Sequence, residues 1–199
     1  LTTGACNIAM GINAYGTAAA GTYNIAIGEV AMGGCLVTGA TNIAIGQNAM
    51  DALTCGINNV AMGKNSLGVS TTGCQNVAIG YLSLGGTDVT GTSNVGLGYG
   101  TGYRITSGHF NTFLGYNSGG CTSTGTGNIA IGTNAGCLVT TQGCVINIGN
   151  GANSTTASTT CIGGTCVMAV QFTATSDCRS KCKIKDLPYG LNFINLLRP

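Results

Sequence analysis

Charge is what this chain has least of. Seven Lys and Arg and five Asp and Glu make up 6% of 199 residues, where ordinary soluble domains carry about 25%. A surface that poor in charge is not expected to face water everywhere, and other copies of the chain should cover part of it. The shortage also argues against nucleic acid, because a net charge of +2 supplies no broad basic field for phosphates. Tryptophan is absent, and histidine occurs once, at His109 in the turn-like Ser107-Gly108-His109-Phe110. With no Cys-x-x-Cys pair and one imidazole, neither a metal nor another cofactor is expected. His109 reads as a turn residue rather than a catalytic base, since no carboxylate recurs near it. No apolar run approaches the roughly 18 residues of a membrane helix, so no membrane insertion is expected. Leu1 is neither a usual start nor the opening of a signal peptide, and the numbering is expected to open inside a longer protein.

Glycine, by contrast, is abundant at 35 residues, and it is periodic. The phrase Asn-Ile-Ala-Ile-Gly occurs at 24–28, 42–46 and 128–132, with Asn-Ile-Ala-Met-Gly at 7–11, Asn-Val-Ala-Met-Gly at 59–63 and looser versions between. Its closing glycines are Gly11, Gly28, Gly46, Gly63, Gly80, Gly98, Gly115, Gly132 and Gly149, in steps of 17 or 18 residues. A fixed period of that length marks a stacked solenoid, one coil per repeat. The fold expected is therefore all-β, a parallel β-solenoid or β-roll over residues 1–165.

Within each phrase the alternation puts the two apolar residues on one face of a strand and Asn with the small residue on the other. The large Ile, Val and Met are expected inside. Three residues past each glycine stands another small residue, such as Ala31, Ala49, Ser66, Ser83 or Ala135, often followed by Met or Leu. That limb is expected to be a second strand, with Thr- and Gly-rich turns such as Thr38-Gly39 closing the coil. The small rows are expected to let chains approach closely, so that Arg at Ala49 or Ala135 would disrupt assembly. Asn opens eight of nine phrases, Val145 being the exception, and the row suggests amides bonded along the stack or to turn backbone.

The eleven cysteines hold no constant place in the repeat. They read mostly as small apolar fillers, with a few disulfides within or between chains expected if the particle matures outside a reducing cytosol, and an odd count leaves at least one unpaired within a chain. Tyr81, Tyr99, Tyr103 and Tyr116 gather in the middle coils, either as shape-filling aromatics or as a patch for a receptor or glycan.

The repeat, with its Ala-Ile-Gly-x-x-Ala phrase, resembles the heads of trimeric autotransporter adhesins, although its period is longer. It is more similar still to repeats of phage and environmental viral tail-fibre proteins. That resemblance implies a homotrimeric β-prism shaft.

Composition changes after residue 170: three acids and two bases lie before it, two acids and five bases after it. A linker at 166–175 and a second module at 176–199 are expected. Its Ser176-Asp177-Cys178-Arg179-Ser180-Lys181, the following Lys183-Ile184, and Gly190-Leu191-Asn192-Phe193-Ile194-Asn195-Leu196-Leu197-Arg198-Pro199 resemble the opening of the self-cleaving intramolecular chaperone domain of tailspikes, tail fibres and endosialidases. Asp186-Leu187-Pro188 fits a helix start, with Leu191, Ile194 and Leu197 on one stripe. The family's domain continues beyond the Leu-Arg-Pro at 197–199, and Cys178 and Cys182 depart from its motif.

By that resemblance Ser176 is the nucleophile, Lys181 the base that takes its proton, and Asp177 flanks the cleaved bond. Catalysis would then be at most one autoproteolytic turnover. The resulting reading is the shaft of a homotrimeric viral tail fibre or spike on the virion surface. A bacterial trimeric adhesin head is the alternative. An ice-binding solenoid is a third reading, weakened because Thr wanders among turn positions.

Overall fold

The computed structural model describes residues 3–16, 20–163 and, for their backbone, 165–167. The chain divides into two units, Leu1–Met168 and Ala169–Pro199. The module expected at 176–199, with its short helix, lies outside the described residues.

Each repeated phrase forms one three-residue strand: β1 Ile8–Met10, β2 Ile25–Ile27, β3 Ile43–Ile45, β4 Val60–Met62, β5 Val77–Ile79, β6 Val95–Leu97, β7 Thr112–Leu114, β8 Ile129–Ile131 and β9 Ile146–Ile148. Two more follow, β10 Thr160–Ile162 and β11 Thr165–Val167. The sheet runs β1 to β11 in chain order; the first ten strands are parallel, and β11 folds back antiparallel on β10. Like pairs with like, as in Ile25↔Ile43, Ala26↔Ala44 and Ile27↔Ile45. This is a parallel β-solenoid of one coil per repeat, and no helix occurs among the described residues.

The closing glycines explain why the period is strict. Gly46 has φ +135°, and a Cβ added there would sit 2.7 Å from the carbonyl oxygen of Gly63 in the next coil. Side-chain-bearing residues rarely adopt that backbone, and the next rung leaves no room for one. The same approach recurs from Gly11 to Gly132.

Two expectations about the coil are corrected. The limb after the glycine is not a second strand but a run of turns. Residues two and four past the glycine are left-handed, as in Asn48 (φ 55°) and Met50 (51°), or Leu82 (55°) and Leu84 (47°). Rungs still join there, with Met50 N–H donating to Ser66 O at 3.0 Å and Leu84 N–H to Thr101 O at 2.8 Å. A left-handed non-glycine residue costs roughly 1–2 kcal/mol. Full burial of Met50, Leu67 and Leu84 offsets it, since burying such a side chain contributes about 1.5–3 kcal/mol.

The strand is also turned the other way from expectation. Asn42 and Ala44 are fully buried, whereas Ile43 and Ile45 face outward and are half-buried. Core volume comes instead from the turn limbs: Met32, Met50, Leu53, Leu67, Leu84, Val89 and Ile105. The inward small residues let the two limbs close on each other. Ser83 Oγ bonds Gly96 O at 2.9 Å and Ser118 Oγ bonds Ala130 O at 2.6 Å. Ala49 and Ala135 are therefore inside one coil, at 0% exposure, and not at a chain boundary. Arg at either position would break the coil itself.

One exchange within this core is compensated. Where β2 to β5 place Ala inward, β7 places Phe113, and where their coils place Met32, Met50, Leu67 and Leu84 on the facing limb, the coils around Phe113 carry Gly102 and Gly119. A Cβ at Gly119 would lie 2.3 Å from the Phe113 ring and one at Gly102 2.8 Å. A large residue and two glycines thus fill the volume that smaller inward residues and Leu fill elsewhere.

Candidate functional site

The buried Asn row is the spine of the stack. Asn59 Nδ2 donates to Gly73 O at 2.7 Å and to Asn42 Oδ1 at 3.0 Å, while Asn59 Oδ1 accepts the backbone N–H of Asn76 at 2.9 Å. Equivalent bonds run from Asn7 to Asn128. Each amide satisfies a turn carbonyl and a backbone N–H that the coil interior would otherwise orphan. At its first rungs, Asn24 Nδ2 also donates to Tyr15 Oη at 2.7 Å. Burial pushes the Tyr15 phenol above its ordinary pKa, with the Asn24 bond opposing. With both amide ends committed to the chain, the row is structural and not a ligand site.

At the last rungs the pattern shifts. Val145 takes the Asn place, its N–H donating to Asn128 Oδ1 at 2.9 Å, and Asn147 stands inward where β8 has Ala130. Asn147 is 1% exposed, and its Oδ1 has no hydrogen-bond partner. An unpaired buried carbonyl costs about 1–3 kcal/mol. Asn147→Ala is therefore expected to keep the fold and raise stability by about 1 kcal/mol, read as a higher urea midpoint.

The outward face of the sheet carries two rows of side chains. One runs from Ile8 through Ile43, Val60 and Val77 to Ile146, and the other from Met10 through Ile45, Met62 and Ile79 to Ile148. Thr112 is the sole polar residue in either row across β1 to β9, and none is charged. Nine rungs at about 4.8 Å make this strip roughly 40 Å tall. Several members are well exposed, Met10 at 61% and Leu114 at 43% among them. An uncharged strip of this length is more continuous than the apolar patches that soluble single chains usually expose.

Beside it, the residue after each closing glycine forms a further row: Ile12, Glu29, Gln47, Lys64, Tyr81, Tyr99, Tyr116, Thr133 and Asn150. The three tyrosines stack. Tyr81 and Tyr99 have ring centroids 5.4 Å apart at 32°, and Tyr99 and Tyr116 lie 4.9 Å apart at 9°. Tyr103 does not join them; its ring packs over Gly86. The shared offset from glycine was the sequence signal that separates these three from Tyr103.

His109 is half-buried, and its Nδ1 accepts the N–H of Thr92 at 3.0 Å, a contact between coils rather than a catalytic arrangement. The cysteines scatter over the coil, Cys6, Cys55 and Cys144 exposed and Cys161 buried. Burial, then the neighbouring Cys121, pushes the Cys137 thiol up. Among the described residues no three His, Cys, Asp or Glu come together around a possible metal position. No helix among them is long and apolar enough to cross a membrane. Ser176, Asp177 and Lys181 lie outside the described residues. No family model, curated protein or solved structure matches the chain.

Proposed function

We propose that this chain is the shaft of a homotrimeric fibre of the viral tail-fibre or spike kind, carried on the outside of the particle. The observation that supports it best is the outward apolar strip, which a lone chain leaves facing water. In a three-chain bundle the strips meet around a common axis and bury one another, while the Asn spines keep each coil closed. That arrangement also accounts for the 6% charge. The number three rests on the likeness of the repeat to trimeric fibre proteins. Light scattering of the intact chain is expected to give three chain masses; a stable single chain would refute the reading.

The terminal module deepens this reading through its own resemblance. Its role is to register three chains and then to cut itself away beside Ser176, with Lys181 taking the hydroxyl proton. In the full-length precursor Ser176→Ala is expected to abolish cleavage, seen as one uncut mass, and to leave trimer formation intact. Equal cleavage in the variant, or none in the parent protein, would reduce Ser176 to a structural residue.

A further inference from the structure

We propose that the Tyr81–Tyr99–Tyr116 stack is a docking platform for a neutral saccharide, with one pyranose ring laid on the open face of Tyr116 and its hydroxyls met by Thr133 and Asn150. The proposal rests on the fibre reading for its setting, a shaft that meets a host surface, and adds the class of ligand.

The tyrosine row also holds Glu29 and Lys64, both exposed, and successive rungs stack in register through Gly100 N–H to Tyr81 O at 3.0 Å and Asn134 N–H to Tyr116 O at 2.9 Å. Charges in that line need water, so the row marks the solvated margin of the apolar strip and not its covered centre. The tyrosines are accordingly well exposed, at 41%, 47% and 53% from Tyr81 to Tyr116.

The stack then stops. The next two positions are Thr133 and Asn150, short, polar and exposed. Tyr116 therefore presents one ring face that no fourth aromatic covers, above a step lined by a hydroxyl and an amide. Asn134 stands beside it, its Oδ1 already accepting from Asn117 Nδ2 at 3.0 Å, which leaves its own amide N–H groups for a ligand. A pyranose ring fits both halves of this surface. Its C–H face lies on an aromatic ring much as another aromatic would, and its equatorial hydroxyls reach outward to donors and acceptors at the rim. Charge decides between ligand classes. No Lys or Arg occupies the row at or beyond Tyr81, so an anionic sugar or a nucleotide phosphate has no partner there. In a trimer the platform would recur three times around the fibre, and weak single-site binding would gain from multivalency.

The absence of Trp makes tyrosine fluorescence a direct reporter. Titrating the intact chain with cellohexaose, chitohexaose and maltohexaose, and with polysialic acid as the anionic comparison, is expected to give saturable binding to at least one neutral oligomer and none to the anionic one. Tyr116→Ala should weaken that binding at least 10-fold, while Tyr103→Ala, an exposed tyrosine in another row, should leave it unchanged. Both variants should keep the parent's mass in solution and its melting temperature. Absence of binding to every neutral oligomer, or equal loss with Tyr103→Ala, would overturn the proposal. So would a Tyr116→Ala chain that fails to assemble, because the stack would then be a seam between copies. The mass of the unsubstituted chain tests the fibre reading separately.

Discussion

Asn59→Leu is expected to destabilise the coil stack by about 4 kcal/mol, because it orphans two buried backbone groups at roughly 1–3 kcal/mol each. The groups are Gly73 O, which loses the amide donor at 2.7 Å, and Asn76 N–H, which loses its acceptor at 2.9 Å. Leu is close to Asn in size, so the loss comes from unmet hydrogen bonds and not from a cavity. In a stack of nearest-neighbour coils the damage should be local, splitting one unfolding transition into two. Urea unfolding followed by circular dichroism reads both effects. Gln47→Leu serves as the comparison: its amide bonds Glu29 at 2.8 Å on the exposed surface, and its loss should change stability by less than about 0.5 kcal/mol. Equal effects from the two substitutions would mean that the Asn spine is dispensable.

The second large effect separates assembly from folding. Ile45 and Ala44 are neighbours on β3 with opposite directions: Ile45 is half-buried on the outer face and Ala44 is 0% exposed inside the coil. If the proposed trimer is right, Ile45→Lys should leave the coil spectrum intact and give single chains, since three ammonium groups would meet near its axis. Ala44→Lys should instead abolish the coil, because an unpaired charge would enter a core that closes on small residues. If Ile45→Lys assembles like the parent chain, the strip is not the contact between copies.

That pair of residues also marks where sequence reasoning reached its limit. The glycine period, a strand at Asn-Ile-Ala-Ile-Gly and the parallel stacking of one coil per repeat were legible, because a closing glycine can take a backbone that other residues cannot; that each coil carries one strand and not two was not. Alternation states which residues share a face; it does not state which face is inside. Size favours placing Ile43 and Ile45 inward, and the structure places Asn42 and Ala44 there instead. The deciding term is the amide of Asn42, which must reach Gly56 O at 2.8 Å across the coil interior, and that requirement carries Ala44 inward with it. The turn limb differs from a strand for a related reason. Met50 and Leu67 look like strand residues, yet their left-handed backbone pays its strain through full burial, a balance that propensity cannot reveal. The exchange of Phe113 against Gly102 and Gly119 needs spatial neighbours from different coils to be seen at all. The tyrosine row needed only the repeat offset.

The most direct test of the account is a density map of the assembled full-length protein at side-chain resolution. The account predicts a three-fold axis with the Ile43 and Ile45 rows of three chains pointing at it and the Asn59 row enclosed within each coil. A single chain, or an assembly in which those isoleucine rows face solvent, would contradict it.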